Sequence, residues 1–129
     1  MQLKLLQFLE KKLKRIRIGT RKKERRGDLR RQCLIPVDYL VSGHIFNSYI
    51  LDISAYGVFI ETDEPFDSGL DIRLTFTLPD QKKPFNVSGE IVWSGKQGFG
   101  VKFNYLSNQQ MDMVKSFAEQ AQRIYEIIS

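Results

Sequence analysis

From residue 34 onward the chain alternates. Ile35, Val37, Tyr39 and Val41 are separated by Pro36, Asp38 and Leu40, the period of two that sends successive side chains of a strand to opposite faces. Ser42-Gly43 ends the run as a turn. A longer strand is predicted next, with Ile45, Tyr49, Leu51 and Ile53 on one face and His44, Phe46, Ser48, Ile50, Asp52 and Ser54 on the other. Tyr56-Gly57 turns the chain into a strand over 58–62, and Pro65 and Ser68-Gly69 mark a loop. Ile72, Leu74, Phe76 and Leu78 alternate with Asp71, Arg73, Thr75 and Thr77. After a loop over 79–84, Phe85, Val87, Ile91 and Trp93 alternate with Asn86, Ser88 and Glu90, so Trp93 is predicted to face the core. Lys96-Gln97-Gly98 is a tight turn, and Phe99, Val101, Phe103 and Tyr105 close the region.

About six short strands joined by tight turns predict a mainly β fold, an antiparallel barrel or sandwich. Closure into a barrel would remove the exposed edges that so apolar a sheet cannot leave open. The period then lengthens. Ser107 is a candidate N-cap for a C-terminal helix over about 107–128, with Met111, Val114, Phe117 or Ala118, Ala121, Ile124 or Tyr125, and Ile128 as its apolar stripe. Packing against the barrel is the favoured use of that stripe, and dimerisation the alternative. At the other end, residues 2–18 also carry a helical pattern, with Lys and Arg between leucines. The expected organisation is a basic amphipathic helix over 1–19, a flexible Arg-rich arm over 20–33 and a barrel with its closing helix over 34–129.

Charge sharpens this division. The 129-residue chain has a net charge of +5, but residues 1–31 hold 13 Lys and Arg against 3 Asp and Glu, a surplus of 10, while the remainder is acidic by 5. A basic segment on an acidic body points to an anionic partner: nucleic acid, a lipid headgroup or a phosphorylated small molecule. The basic helix over 2–18 would suit a membrane surface. The strands' outer faces show no set of stacking aromatics interleaved with Lys and Arg, which argues against nucleic acid. A single cysteine, Cys33, and the lack of a long apolar run or a leader pattern predict a cytoplasmic protein. His44 and Cys33 do not form a recognisable nucleophile–base pair, and there is no phosphate-cradling glycine loop or metal-ligand spacing, so neither an enzyme nor a cofactor is expected.

Two constellations carry chemistry. The first is Arg25-Arg26-Gly27-Asp28-Leu29-Arg30-Arg31. Arginine grips phosphate with a planar fork of donors and stacks its flat face on a base. In an extended segment Arg26 and Arg30 stand roughly 13 Å apart on one side, a span suited to a ligand with two phosphates and two bases. Alone, such a stretch more often marks a solvated tail or a nonspecific polyanion binder. The second is Asp52-Ile53-Ser54-Ala55-Tyr56-Gly57. Asp52 and Ser54 share a strand face, where a carboxylate can accept from the N–H groups of guanine and a hydroxyl can assist. Gly57 allows a positive φ or a close approach to the backbone. A strand ending in a Ser or Asx turn explains the same residues without a ligand.

Together, Arg-x-x-x-Arg followed about 20 residues later by Asp-x-Ser-x-x-Gly entering an apolar strand resembles the PilZ domain family, as do Gly89-Glu-Ile-Val-Trp-Ser and Gly98-Phe-Gly-Val-Lys-Phe. The resemblance covers about residues 24–120. It implies a six-stranded antiparallel β-barrel with a C-terminal helix that binds cyclic di-GMP and reports to a downstream protein, as a monomer or weak homodimer. By motif matching, Arg26 and Arg30 would contact phosphates and guanine faces, Asp52 and Ser54 a guanine edge, and Gly57 would shape the backbone beneath. An arginine at the position of Arg25 accompanies a stacked ligand dimer in such relatives. Arg31 and Trp93 are further candidates for ligand contact. A polyanion-binding barrel, or a PilZ domain that binds only protein, is the competing reading.

Overall fold

The computed structural model describes residues 29–128, with side chains described through residue 120. The basic helix expected over 2–18, most of the arm, and Arg25 and Arg26 lie outside the described residues. Six strands run in order: β1 (Arg31–Val41), β2 (His44–Ile53), β3 (Gly57–Glu61), β4 (Asp71–Phe76), β5 (Phe85–Ser94) and β6 (Gly98–Phe103). A helix, α1 (Asn108–Ile128), follows. The strands close into a barrel in the order β1-β2-β3-β6-β5-β4, every pair antiparallel. Closure pairs every edge, as the apolar inner face requires.

The alternation sets which residues point inward. Ile35, Val37, Tyr39 and Val41 from β1, Ile72, Leu74 and Phe76 from β4, and Phe99, Val101 and Phe103 from β6 are buried in one core. Near one barrel end, Phe66 comes in from a loop and meets Tyr39, Phe46 and Phe99 edge-on, at centroid distances of 6.1, 5.3 and 5.2 Å. Burial there raises the pKa of the Tyr39 hydroxyl, although its hydrogen bond with Thr62 pulls the other way. Near the start of β1, α1 lays Val114, Phe117 and Ala118 against the barrel.

The start of α1 is fixed by a reciprocal pair of hydrogen bonds. The Gln110 N–H donates to Ser107 Oγ and the Ser107 N–H donates to Gln110 Oε1, both at 3.1 Å. This capping box satisfies two backbone donors at the helix entry. Ser107→Ala should therefore cost about 1 kcal/mol, read as a fall in Tm of roughly 4–8 °C.

Besides a register shift between Gln32 and Ile35 where β1 meets β2, regular alternation fails at two places, and each failure moves a side chain. In β2, Ile50 pairs with Ile60 but Asp52 pairs with Phe59, so Leu51 is an extra residue opposite β3. The face on which the sequence groups Ile45, Tyr49, Leu51 and Ile53 is consequently split. Ile45 and Tyr49 are exposed, whereas Phe46 packs against the core and Ile50 and Ile53 lie within it. In β5, Ile91 pairs with Val101 but Trp93 pairs with Gly100, so Val92 is the extra residue. Trp93 does not face the core: it is 50% exposed on the barrel's outer surface. A bulge adds one residue to one strand and resets which side the following residues take. β1 itself begins at Arg31, three residues before its alternation becomes visible.

Candidate functional site

The second bulge aligns a row of outward positions across four strands. Asp52 on β2 stands beside Phe59 on β3, Phe59 beside Gly100 on β6, and Gly100 beside Trp93 on β5. Gly100 has no side chain, and a Cβ there would lie 2.2 Å from Trp93 Nε1. The indole therefore folds across the glycine and stacks on Phe59, with centroids 5.2 Å apart and planes 25° from parallel. One face of Trp93 is thus spent on Phe59, and half of the residue's surface remains open.

At the other end of the row, Arg30 Nη1 donates to Asp52 Oδ1 at 2.9 Å. The Asp52 side chain is only 3% exposed and that of Arg30 is 52% exposed. A nearly buried carboxylate thus fixes one end of a guanidinium whose remaining donors reach solvent. Gln32 is the cross-strand partner of Asp52 on β1. Its Oε1 is enclosed and has no hydrogen-bond partner, the single side-chain atom of this kind among the described residues.

The turn after Asp52 is held from within. The Tyr56 N–H donates to Ser54 Oγ at 3.1 Å, and the Ser54 N–H donates to the Gly57 carbonyl at 2.9 Å. Ser54 is buried under this turn, so its hydroxyl shapes the backbone that carries Asp52. Gly57 does not use a positive φ, since the left-handed glycines among the described residues are Gly43 and Gly69. Glycine is needed there because a Cβ would lie 1.9 Å from the Val101 carbonyl oxygen.

These elements enclose a shallow groove of about 330 Å³ lined by Arg30, Asp52, Tyr56, Gly57, Trp93 and Lys102, among others. Arg30, Asp52, Gly57 and Trp93 of the sequence-derived candidates meet here. Ser54 lies beneath the groove, and Arg31 points away from it to α1. Tyr56 and Lys102 were not singled out in the sequence. The phase of Phe99, Val101 and Phe103 does place Lys102 outward, but only the β3–β6 pairing, with Gly57 opposite Lys102, brings it to the motif. A second hollow of about 410 Å³ on the outside of β1, β4 and β5 holds none of the motif residues.

A family model described as PilZ domain matches residues 20–120, most of the chain. The chain belongs to the PilZ domain family. PilZ domains are receptor and adaptor modules rather than catalysts, and among the described residues no cluster of His, Cys, Asp and Glu could hold a metal ion. No curated protein matches the sequence. Solved structures share the PilZ fold. The Bacillus subtilis inhibitor of motility MotI/DgrA superposes with a TM-score of 0.68 at 15% identity, over 78% of this chain and 52% of that one. The PilZ domain of YcgR from Escherichia coli, solved with c-di-GMP, gives a TM-score of 0.58 at 14% identity, over 81% and 98%. Borreliella burgdorferi PlzA, in complex with c-di-GMP, gives 0.55 at 13% identity, over 82% and 45%. The chain therefore spans about half the length of the MotI and PlzA chains.

Proposed function

We propose that this PilZ domain is a cyclic di-GMP receptor whose arginine arm closes over the groove and passes the signal to a partner protein. The observation that carries the reading is the Arg30–Asp52 pair at the mouth of a groove faced by a half-exposed tryptophan. A buried carboxylate that accepts guanine N–H groups, an arginine with spare donors for phosphate and an aromatic edge form a coherent set for a guanine dinucleotide. Family membership, and two relatives of this fold solved with c-di-GMP, support the same ligand class.

In this reading Arg25, Arg26 and Arg30 take the phosphates and guanine faces, and Asp52 takes a guanine edge. Ser54 and Gly57 act by shaping the turn, and Lys102 adds positive charge on the far wall. A dianion bound between the arginines and the barrel neutralises their like charge and favours the docked state.

Trp93 is the only tryptophan in the chain, so its fluorescence reports on this groove alone. Titration with cyclic di-GMP should give a saturable change. Arg30→Ala should shift its midpoint about tenfold or more, the size of a lost charge-assisted contact. A midpoint that is unchanged in Arg30→Ala would place the ligand elsewhere.

A further inference from the structure

Arg30 and Arg31 are consecutive, and they reach in different directions. Arg30 goes outward to Asp52. Arg31 pairs with the inward-facing Ile53 and goes to the helix. Its Nη1 donates to the carbonyl of Phe117 at 2.9 Å, and its guanidinium carbon stands 3.9 Å above the centroid of the Phe117 ring. Phe117 is buried in the core cluster, and β1 is the strand against which α1 makes its principal contacts.

We propose that Arg31 is a coupling residue that makes the docking of α1 depend on the state of the ligand site. The inference rests on the reading above for its ligand, but not for its geometry. Neighbouring residues of an extended chain point to opposite sides, so the entry to β1 carries the ligand-site arginine, Arg30, on one side and the helix anchor, Arg31 at the first position of the strand, on the other. The two contacts share one short piece of backbone, residues 30 and 31. Holding Arg30 against Asp52 fixes the backbone position from which Arg31 reaches Phe117, and releasing Arg30 frees both.

The two contacts occur together in this structure, and the relay makes their coupling positive. Ligand that locks the arm steadies the helix, and a steadied helix strengthens ligand binding by the same factor. The planar fork is what permits a hydrogen bond to the carbonyl while the cation lies over the ring, and lysine cannot reproduce both. Beyond Phe117 the helix continues to Ile128, about 16 Å of rod at 1.5 Å per residue. A small change at residue 31 is thereby carried to a distant part of the surface, where a partner could read it.

The test is hydrogen exchange of α1 amides in the full chain, in a two-by-two set: wild type, Asp52→Ala, Arg31→Ala and the double variant. Without any ligand, Asp52→Ala should speed exchange in α1 by about fivefold or more in the wild-type background, the lower range of coupling between sites. It should add little in the Arg31→Ala background. Arg31→Lys should lose most of the coupling while the barrel strands keep their protection. In the wild type, cyclic di-GMP should slow the same amides, and Arg31→Ala should remove that response while weakening binding by a similar factor. An equal increment from Asp52→Ala in both backgrounds, or none in either, overturns the relay whether or not the ligand binds. Absence of cyclic di-GMP binding together with a non-additive Asp52–Arg31 pair overturns the ligand and leaves the relay standing.

Discussion

Asp52→Ala should lower affinity for cyclic di-GMP ten- to a hundredfold while leaving the barrel folded. The asymmetry follows from exposure. Arg30 is half exposed, so once its partner is gone the guanidinium turns to water rather than being left buried and unpaired. The ligand would lose more. In the proposed complex Asp52 meets guanine N–H groups where solvent is displaced, and a hydrogen bond to a charged group in such a place is worth about 1.5–3 kcal/mol. Asp52→Asn keeps one acceptor and exchanges the charge for a donor, so it should fall between wild type and alanine. Calorimetric titration beside a thermal melt separates the two effects. A variant that loses its melt together with its binding would make Asp52 a structural residue only.

Gly57→Ala acts through the backbone. Its new Cβ would meet the Val101 carbonyl oxygen at 1.9 Å and the carbonyl carbon at 3.0 Å. A side chain could swing away from such a contact, but a strand carbonyl cannot. The first residue of β3 must therefore move off β6, and the neighbouring hydrogen bonds suffer: Phe103 N–H to Tyr56 carbonyl at 2.8 Å and Ser54 N–H to Gly57 carbonyl at 2.9 Å. Overpacking of this kind costs about 1–3 kcal/mol, or a fall in Tm of roughly 5–20 °C. Because the same turn carries Asp52, binding should weaken as well. A variant with the wild-type melting temperature would show that the strand end yields freely.

The barrel was legible in the sequence wherever pairing is regular. Val37, Tyr39 and Val41, or Ile72, Leu74 and Phe76, alternate without interruption and are buried as their spacing predicts. Ser107, as an N-cap candidate, marked the helix entry. The candidate site was legible by residue type but not by geometry. Asp52 was expected on a face opposite Ile53, which it occupies, yet the bulge at Leu51 that moves it from the side of Phe46 and Ile50 to that of the outward Ile45 and Tyr49 leaves no mark in the alternation. Trp93 shows the same blind spot more sharply. Its phase after Val87 and Ile91 assigns it to the core, and only the extra residue Val92 opposite β6 turns it out. Bulges cluster at functional sites because they re-aim side chains, so a period of two is least reliable where function sits. Strand order was the other hidden quantity. β6 lies between β3 and β5, and without that crossover neither Gly100 beneath Trp93 nor Lys102 beside Gly57 can be placed.

Calorimetric titration of the intact chain with cyclic di-GMP, at about 0.15 M salt, tests the central claim most directly. The account predicts binding at micromolar Kd or tighter, saturating at one or two ligands per chain. No heat and no saturation, with protein and ligand both well above micromolar, would contradict it and leave a PilZ barrel that serves a partner without the dinucleotide.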